Sequence, residues 1–389
     1  MSHAKTILPG ATLGVMGGGQ LGRMFVQAAQ SLGYFTAVLD PDVTSPAGLV
    51  AHYHVEAGYL DEQGLAQLMQ RSDAITTEFE NVPAGALVTL GAHRPVAPAA
   101  DAVAICQDRA KEKAHFRRSG VPCAPFALID SDERLAAVPD ALLPGILKTA
   151  RLGYDGKGQV RVEDRTALAA AWAELGRVPC VLEQRLPLAL ELSVVVARSA
   201  FGAMVTLPVQ QNLHRDGILA VTQVPAPDAT PAQCEQALAC AKSLADTMGY
   251  VGVLCVEFFV LADGSLVANE MAPRPHNSGH WSIDGSDVSQ FELQVRTLTG
   301  LPLVAPRQHS AAVMLNLLGD LWFPAGSAAE RTPPWAQVLA LPGVHLHLYG
   351  KTSARPGRKM GHLTVTAATP AEARAVALRC AELLGLPRF

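Results

Sequence analysis

The chain has 389 residues, a formal charge of −4 from 31 Lys+Arg against 35 Asp+Glu, and 49% hydrophobic against 17% charged residues. This composition excludes a disordered chain, supplies more than one apolar core, and gives no global attraction to nucleic acid or membrane, so any basic site has to be local. Seven cysteines without a C-x-x-C pair read as reduced thiols of a cytoplasmic protein. No apolar run approaches the ~18 residues of a spanning helix, and no secretory signal is expected at the N-terminus.

In chain order, residues 12–100 alternate strand and helix: strands at 12–16, 35–40 and 74–77, helices at 20–32, 60–70 and 83–90. That rhythm predicts a parallel sheet with helices on both faces. Residues 101–119 read as helices, stopped by Gly120-Val121-Pro122. A small α+β unit follows to about 173; its strand at 145–149 runs into a glycine-rich segment at 152–158. From 178 onward come apolar strands at 181–184, 192–198, 205–210, 251–260 and 266–270, with a helix at 231–247. The tail from 303 is β-rich until a last helix at 370–384. The expected division is an N-terminal α/β domain at 1–103, a small domain at 104–177, and a larger domain at 178–389 with a β-rich C-terminal portion.

Three features carry chemistry. Gly17-Gly18-Gly19-Gln20-Leu21-Gly22, between a strand and a helix, satisfies G-x-G-x-x-G, and Asp40 closes the next strand. The same pattern fits a dinucleotide, another phosphate or substrate site, or a tight turn without ligand. The second feature is Gly153, Gly156 and Gly158 around Lys157, just after Lys148 at a strand end. So many glycines let consecutive backbone N–H groups converge on an anion, which reads as a flap over a triphosphate. Arg109 and Lys113 lie one turn apart on a helix upstream.

The third is a pair of acids. Glu257 sits within an apolar strand, where a bare carboxylate is costly. A two-residue turn at Asp263-Gly264 would set Glu257 opposite Glu270, ~5 Å apart at Cβ. Like charges at that distance need a cation, and hard oxygen ligands select Mg²⁺. Asn269 adjoins as a further oxygen donor.

Together these pieces resemble the ATP-grasp ligases. The segments GGQLGRM at 18–24, TTEFENV at 76–82, GYDGKGQ at 153–159, NLHRDGI at 212–218, NEMAPRPHNSGHW at 269–281 and YGKTSARPGRKMGH at 349–362 are similar, in that order, to the 5-(carboxyamino)imidazole ribonucleotide synthase family. The resemblance spans nearly the whole chain. It implies a Rossmann-like pre-ATP-grasp domain, a small lid and a central ATP-grasp domain. The implied enzyme is an ATP-dependent C–N ligase of purine biosynthesis, usually a homodimer. It joins bicarbonate to 5-aminoimidazole ribonucleotide through carboxyphosphate.

The resemblance also implies roles. ATP would contact Arg109, Lys113, Lys148 and the loop Gly153, Tyr154, Asp155, Gly156, Lys157, Gly158 and Gln159. The adenine would be read by Glu183, Gln184, Arg185 and Leu186, and the ribose by Glu191, with His214, Asn269 and Glu270 nearby. Glu257 and Glu270 would hold Mg²⁺. Lys148, Arg274, His276 and Asn277 would serve the bicarbonate chemistry, with Asp155 or His276 taking the amine proton. The ribonucleotide would bind Gln20, Glu78, Tyr154, Lys351 and Arg358, its phosphate on the two basic residues, so the first glycine loop serves substrate. The alternatives are another ATP-grasp carboxylate–amine ligase, such as a formate-dependent glycinamide ribonucleotide transformylase, and an NAD-dependent oxidoreductase resting on the first glycine loop and Asp40.

Overall fold

The computed structural model describes residues 6–151, 153, 158–323 and 329–389. Three sheets organise it. The first is wholly parallel, ordered Tyr53–Val55, Phe35–Leu39, Thr12–Met16, Ala74–Thr77. Its strands are nearly continuous apolar runs because helices cover the sheet. The helices Gln20–Ser31, Glu62–Arg71 and Ala84–Gly91 follow the expected alternation within one or two residues.

The second sheet is antiparallel, ordered Phe126–Ile129, Cys180–Gln184, Gly145–Thr149, Gln159–Val162. One of its strands lies beyond residue 177, where the small domain was expected to end. Cys180–Gln184 lies on the far side of that limit, yet both its edges are hydrogen-bonded to the small domain's strands. An apolar strand reads alike in either sheet, so the sequence pattern could not assign it.

The third sheet has nine strands. Its path runs Leu266–Ala272, Gly252–Leu261, Leu188–Arg198, Gln210–Arg215, Ile218–Val224, Ala311–Leu318, Lys359–Ala367, Val344–Leu348, and Met204–Thr206 pairs with Leu188–Arg198 off that path. The expected strand at 205–210 is two strands, Met204–Thr206 and Gln210–Arg215, with Pro208 between them. Proline has no N–H to give to a ladder. The helices Pro231–Thr247 and Pro370–Leu384 start with a threonine capping box and a proline in the first turn, both legible locally.

One helix the sequence reading passed over joins the units. Gln290–Thr299 is buried nearly all round. Phe291, Val295 and Leu298 pack with Leu13, Val15 and Phe25 of the first unit. Leu293 packs with Val195, Val253 and Trp281 of the third. Each such side chain contributes about 1.5–3 kcal/mol on burial, so the N-terminal unit is held firmly against the central sheet. No helix among the described residues is long and apolar enough to cross a membrane. Each of the seven cysteines is a free thiol.

Candidate active site

The carboxylate pair is built by a hairpin, but not the expected one. The turn has three residues, Ala262, Asp263 and Gly264, closed by Leu261 N–H to the Ser265 carbonyl at 2.8 Å. Gly264 takes φ +85°, which favours glycine. A three-residue turn offsets the register by one, so Val260 opposes Leu266 and Phe258 opposes Ala268. A bulge at Asn269 then restores it, and Glu257 does face Glu270. The expected pairing holds through two compensating irregularities, neither visible in the alternation of apolar residues.

Glu257 is the more enclosed of the two acids, its side chain 13% exposed against 43% for Glu270. Burial, then the facing charge of Glu270, pushes the Glu257 carboxyl up to about 7. Its Oε1 lies 3.4 Å from His276 Nε2, while Glu270 pairs with Arg109 at 3.3 Å. Among the described residues no group of three or more His, Cys, Asp or Glu is placed to hold a metal. Two opposed carboxylates nevertheless fit a hard divalent cation that takes its other ligands from outside the protein.

These acids lie on the wall of a cleft of about 420 Å³ that spans the first and third units. Of the residues expected from the sequence, Gln20, Glu78, Arg109, Gly153, Glu257, Glu270, Arg274, His276, Asn277 and Lys351 all line it. Lys351 Nζ donates to Gln20 Oε1 at 2.8 Å, and burial, with the nearby Arg358 charge second, lowers its ammonium to about 8. Arg274 is paired with Glu80. The segment after it is pinned by Gln290, which accepts from His276 N–H at 2.9 Å and donates to its carbonyl at 2.8 Å. His276 Nδ1 contacts the Ser278 hydroxyl at 2.9 Å, and burial holds its imidazole well below the usual histidine range.

The remaining expected nucleotide residues lie outside that cleft lining. Glu183 is sandwiched between Lys148 at 3.1 Å and Lys113 at 3.3 Å, all three buried. Glu191 bonds His214. Burial alone would lower this imidazole, but the Glu191 bond and the charge of Glu257 raise it overall. Gln184 is the last residue of its lid strand, and Leu186 does not line the cleft. Arg185 turns outward to Glu163 at 2.7 Å. Gly158 has φ +69° and closes against Thr149, and Gln159 opposes Lys148 across the lid ladder. Tyr154, Asp155, Gly156 and Lys157, and with them most of the expected flap, lie outside the described residues.

The first glycine loop is occupied by the protein itself. Glu78 accepts from Gly19 N–H and Gly22 N–H, each at 2.9 Å, and Asp40 accepts from Gly18 N–H at 2.7 Å. A Cβ on Gly19 would sit 2.4 Å from Glu78 Oε1. The glycines therefore admit a carboxylate to the helix N-terminus, where a pyrophosphate would meet both occupancy and like charge. The dinucleotide alternative loses its site here.

Among the cleft residues not foreseen are Glu80, Glu112, Lys359 and Cys255. Lys359 had a usable signal. It directly follows Arg358 in the same motif and starts a strand; Arg358 itself donates to the Ser353 carbonyl at 2.8 Å. Glu112 shares a helix face with Arg109. Glu80 carries no local sign of its partner.

Comparison with known proteins bears on this geometry. Residues 10–107 match the ribonucleotide synthetase preATP-grasp domain, residues 114–291 the ATP-grasp domain, and residues 312–376 the phosphoribosylaminoimidazole carboxylase C-terminal domain. The chain is similar to the N5-carboxyaminoimidazole ribonucleotide synthase of Brucella melitensis, 45% identical over 364 residues, covering 92% of this chain and 98% of that protein. The synthase of Bacillus subtilis is 40% identical over 361 residues, 92% of each. Among solved structures, an ADP complex of an N5-carboxyaminoimidazole ribonucleotide synthetase superimposes with a TM-score of 0.91 at 38% identity, covering 98% of this chain and 99% of that one. The synthase from Aspergillus clavatus, in complex with ADP and 5-aminoimidazole ribonucleotide, gives 0.86 at 30% identity over 96% and 98%.

Proposed function

This chain belongs to the N5-carboxyaminoimidazole ribonucleotide synthases of the ATP-grasp superfamily, and from that premise we propose how its cleft works. The reaction is the ATP-dependent carboxylation of 5-aminoimidazole ribonucleotide in purine biosynthesis. The observation that supports this site assignment is the convergence on one cleft of the opposed Glu257 and Glu270, the Arg274–Asn277 segment, and the Gln20–Lys351 pair from two different units.

In this reading bicarbonate enters beside Arg274, His276 and Asn277. Its oxygen attacks the γ-phosphate, giving carboxyphosphate and ADP. The amine of the ribonucleotide then attacks the carbon of carboxyphosphate, or of the CO₂ that carboxyphosphate releases, phosphate leaves, and the amine proton passes to His276 or Asp155. Catalysis rests on positioning and on countering phosphate charge. Arg109 and Lys148 supply cations for the ATP phosphates. Glu183, Gln184, Arg185 and Leu186 serve the adenine, Glu191 the ribose, and His214 orients Glu191. Glu257 and Glu270 would hold Mg²⁺, which when bound screens the phosphates and polarises the transferred group. Gln20 and Lys351 hold the ribonucleotide phosphate, with Arg358 adding charge behind them. The three-unit division goes with this reading, with strand Cys180–Gln184 counted to the lid. So do a homodimer and a cytoplasmic location.

The direct test is incorporation of labelled bicarbonate into an acid-labile product, together with phosphate release. Both should require ATP and ribonucleotide together. Phosphate release without incorporation would remove the carboxylation step.

Lys351→Ala should raise the KM for ribonucleotide by roughly 10- to 100-fold, the scale of a lost charge-assisted hydrogen bond, and leave the KM for ATP within about twofold. Because the Lys351 ammonium sits at about 8, kcat/KM for ribonucleotide should fall as pH rises through that value, where the binding cation is lost. Lys351→Arg should flatten the decline, since a guanidinium stays charged. An ATP-selective defect in the alanine variant would refute the assignment.

A further inference from the structure

The strand carrying Glu270 is an edge strand of the nine-stranded sheet. Its inner side is paired with Gly252–Leu261; on its outer side Ala268 N–H donates to the Pro122 carbonyl at 2.7 Å, in a single bridge between Cys123 and Ala268 that does not extend to the residues after it. Past that bridge, the edge at the bulge and after it has no strand to hold its register. Helix Arg109–Arg118 covers it, and one face of that helix supplies three side chains to three consecutive residues. Lys113 Nζ donates to the carbonyl of the bulged Asn269 at 2.9 Å. Arg109 pairs with the Glu270 side chain at 3.3 Å. Glu112 Oε1 accepts from Met271 N–H at 2.6 Å. Positions 109, 112 and 113 follow the i, i+3, i+4 spacing of one helix face.

Glu112 is the unexplained member. It is 2% exposed, and a buried carboxylate is costly without a task. Its bond falls on the amide one residue beyond Glu270, so it fixes the chain on one side of that acid while Lys113 fixes it on the other. We propose that Glu112 is a positioning residue: by holding the Met271 amide it locks the Asn269 bulge and keeps Glu270 aimed across the ladder at Glu257. The inference rests on the reading that Glu257 and Glu270 bind a divalent cation.

The test uses Mn²⁺ as the probe, its free concentration followed by electron paramagnetic resonance on the full chain with saturating ADP. Glu112→Leu removes the acceptor; Glu112→Gln keeps a carbonyl oxygen that can still accept from Met271. Glu112→Leu should weaken Mn²⁺ binding by about tenfold, the lower end for a group supporting a metal ligand. ADP affinity in EDTA and ribonucleotide affinity should stay within about twofold. Glu112→Gln should bind Mn²⁺ within about threefold of the parent. Parent-like Mn²⁺ affinity in Glu112→Leu overturns the inference. If the leucine variant does not fold, Glu112→Ala, which also lacks the acceptor, takes its place, and parent-like Mn²⁺ affinity there overturns the inference. Glu270→Gln, measured alongside, tests the underlying reading. If that variant binds Mn²⁺ as the parent does, the metal assignment fails, whatever Glu112 does.

Discussion

Glu270→Gln should lower ribonucleotide-dependent ATP hydrolysis by about 10²–10³, the scale seen when one preorganised group serving the transition state is removed. The substitution keeps the side chain's shape and a carbonyl oxygen. It removes the charge that faces Glu257 across the bulged ladder. Ribonucleotide affinity should change by less than about twofold, because Gln20 and Lys351 are held by their own contact. Steady-state turnover and a direct ribonucleotide titration check the two halves separately. Turnover near the parent level would remove Glu270 from the phosphate chemistry. Equal losses in turnover and ribonucleotide binding would mean that the cleft had collapsed, not that a charge was missing.

Glu183→Gln should destabilise the fold by about 3–5 kcal/mol, the usual penalty for leaving a buried charge without its partner. The glutamate carboxylate lies between Lys113 and Lys148, and none of the three is more than slightly exposed. Urea unfolding measures the loss. Adding Lys113→Met to the glutamine variant should return part of it, since one of the two uncompensated ammoniums is gone. The penalty should also shrink as pH rises from 7 toward 10. Burial already lowers the Lys148 ammonium. A lysine lowered in the folded state is less protonated than in the unfolded chain, so stability climbs with pH across that window. A loss under about 1 kcal/mol, flat with pH, would show that the two lysines have other counter-charges.

The same glutamate shows why sequence and structure disagree in emphasis. The resemblance gives Glu183 to the adenine, while the structure shows it first as the shared counter-ion of Lys113 and Lys148. The two ammoniums restrict its side chain to one orientation, and an oriented acceptor is a better reader of a ligand. Arg274 behaves alike: expected beside bicarbonate, it lines the cleft but is also bound to Glu80 from the N-terminal unit. The sequence reading named Lys113 and Lys148 but not their role as counter-charges of Glu183, and it did not name Glu80, the partner of Arg274.

By itself the sequence determined what depends on neighbours along the chain. A continuous apolar run placed Glu257 inside a buried strand, and the order of six short segments pointed to the family. The tertiary structure alone decided what depends on residues far apart in the chain. Arg274 meets Glu80 across 194 positions and Lys351 meets Gln20 across 331. Glu78 reaches back to fill the glycine loop, and helix Gln290–Thr299 fuses two cores. Local propensity acts over a few residues, whereas these contacts form only once sheet order and crossovers have closed the long loops between them.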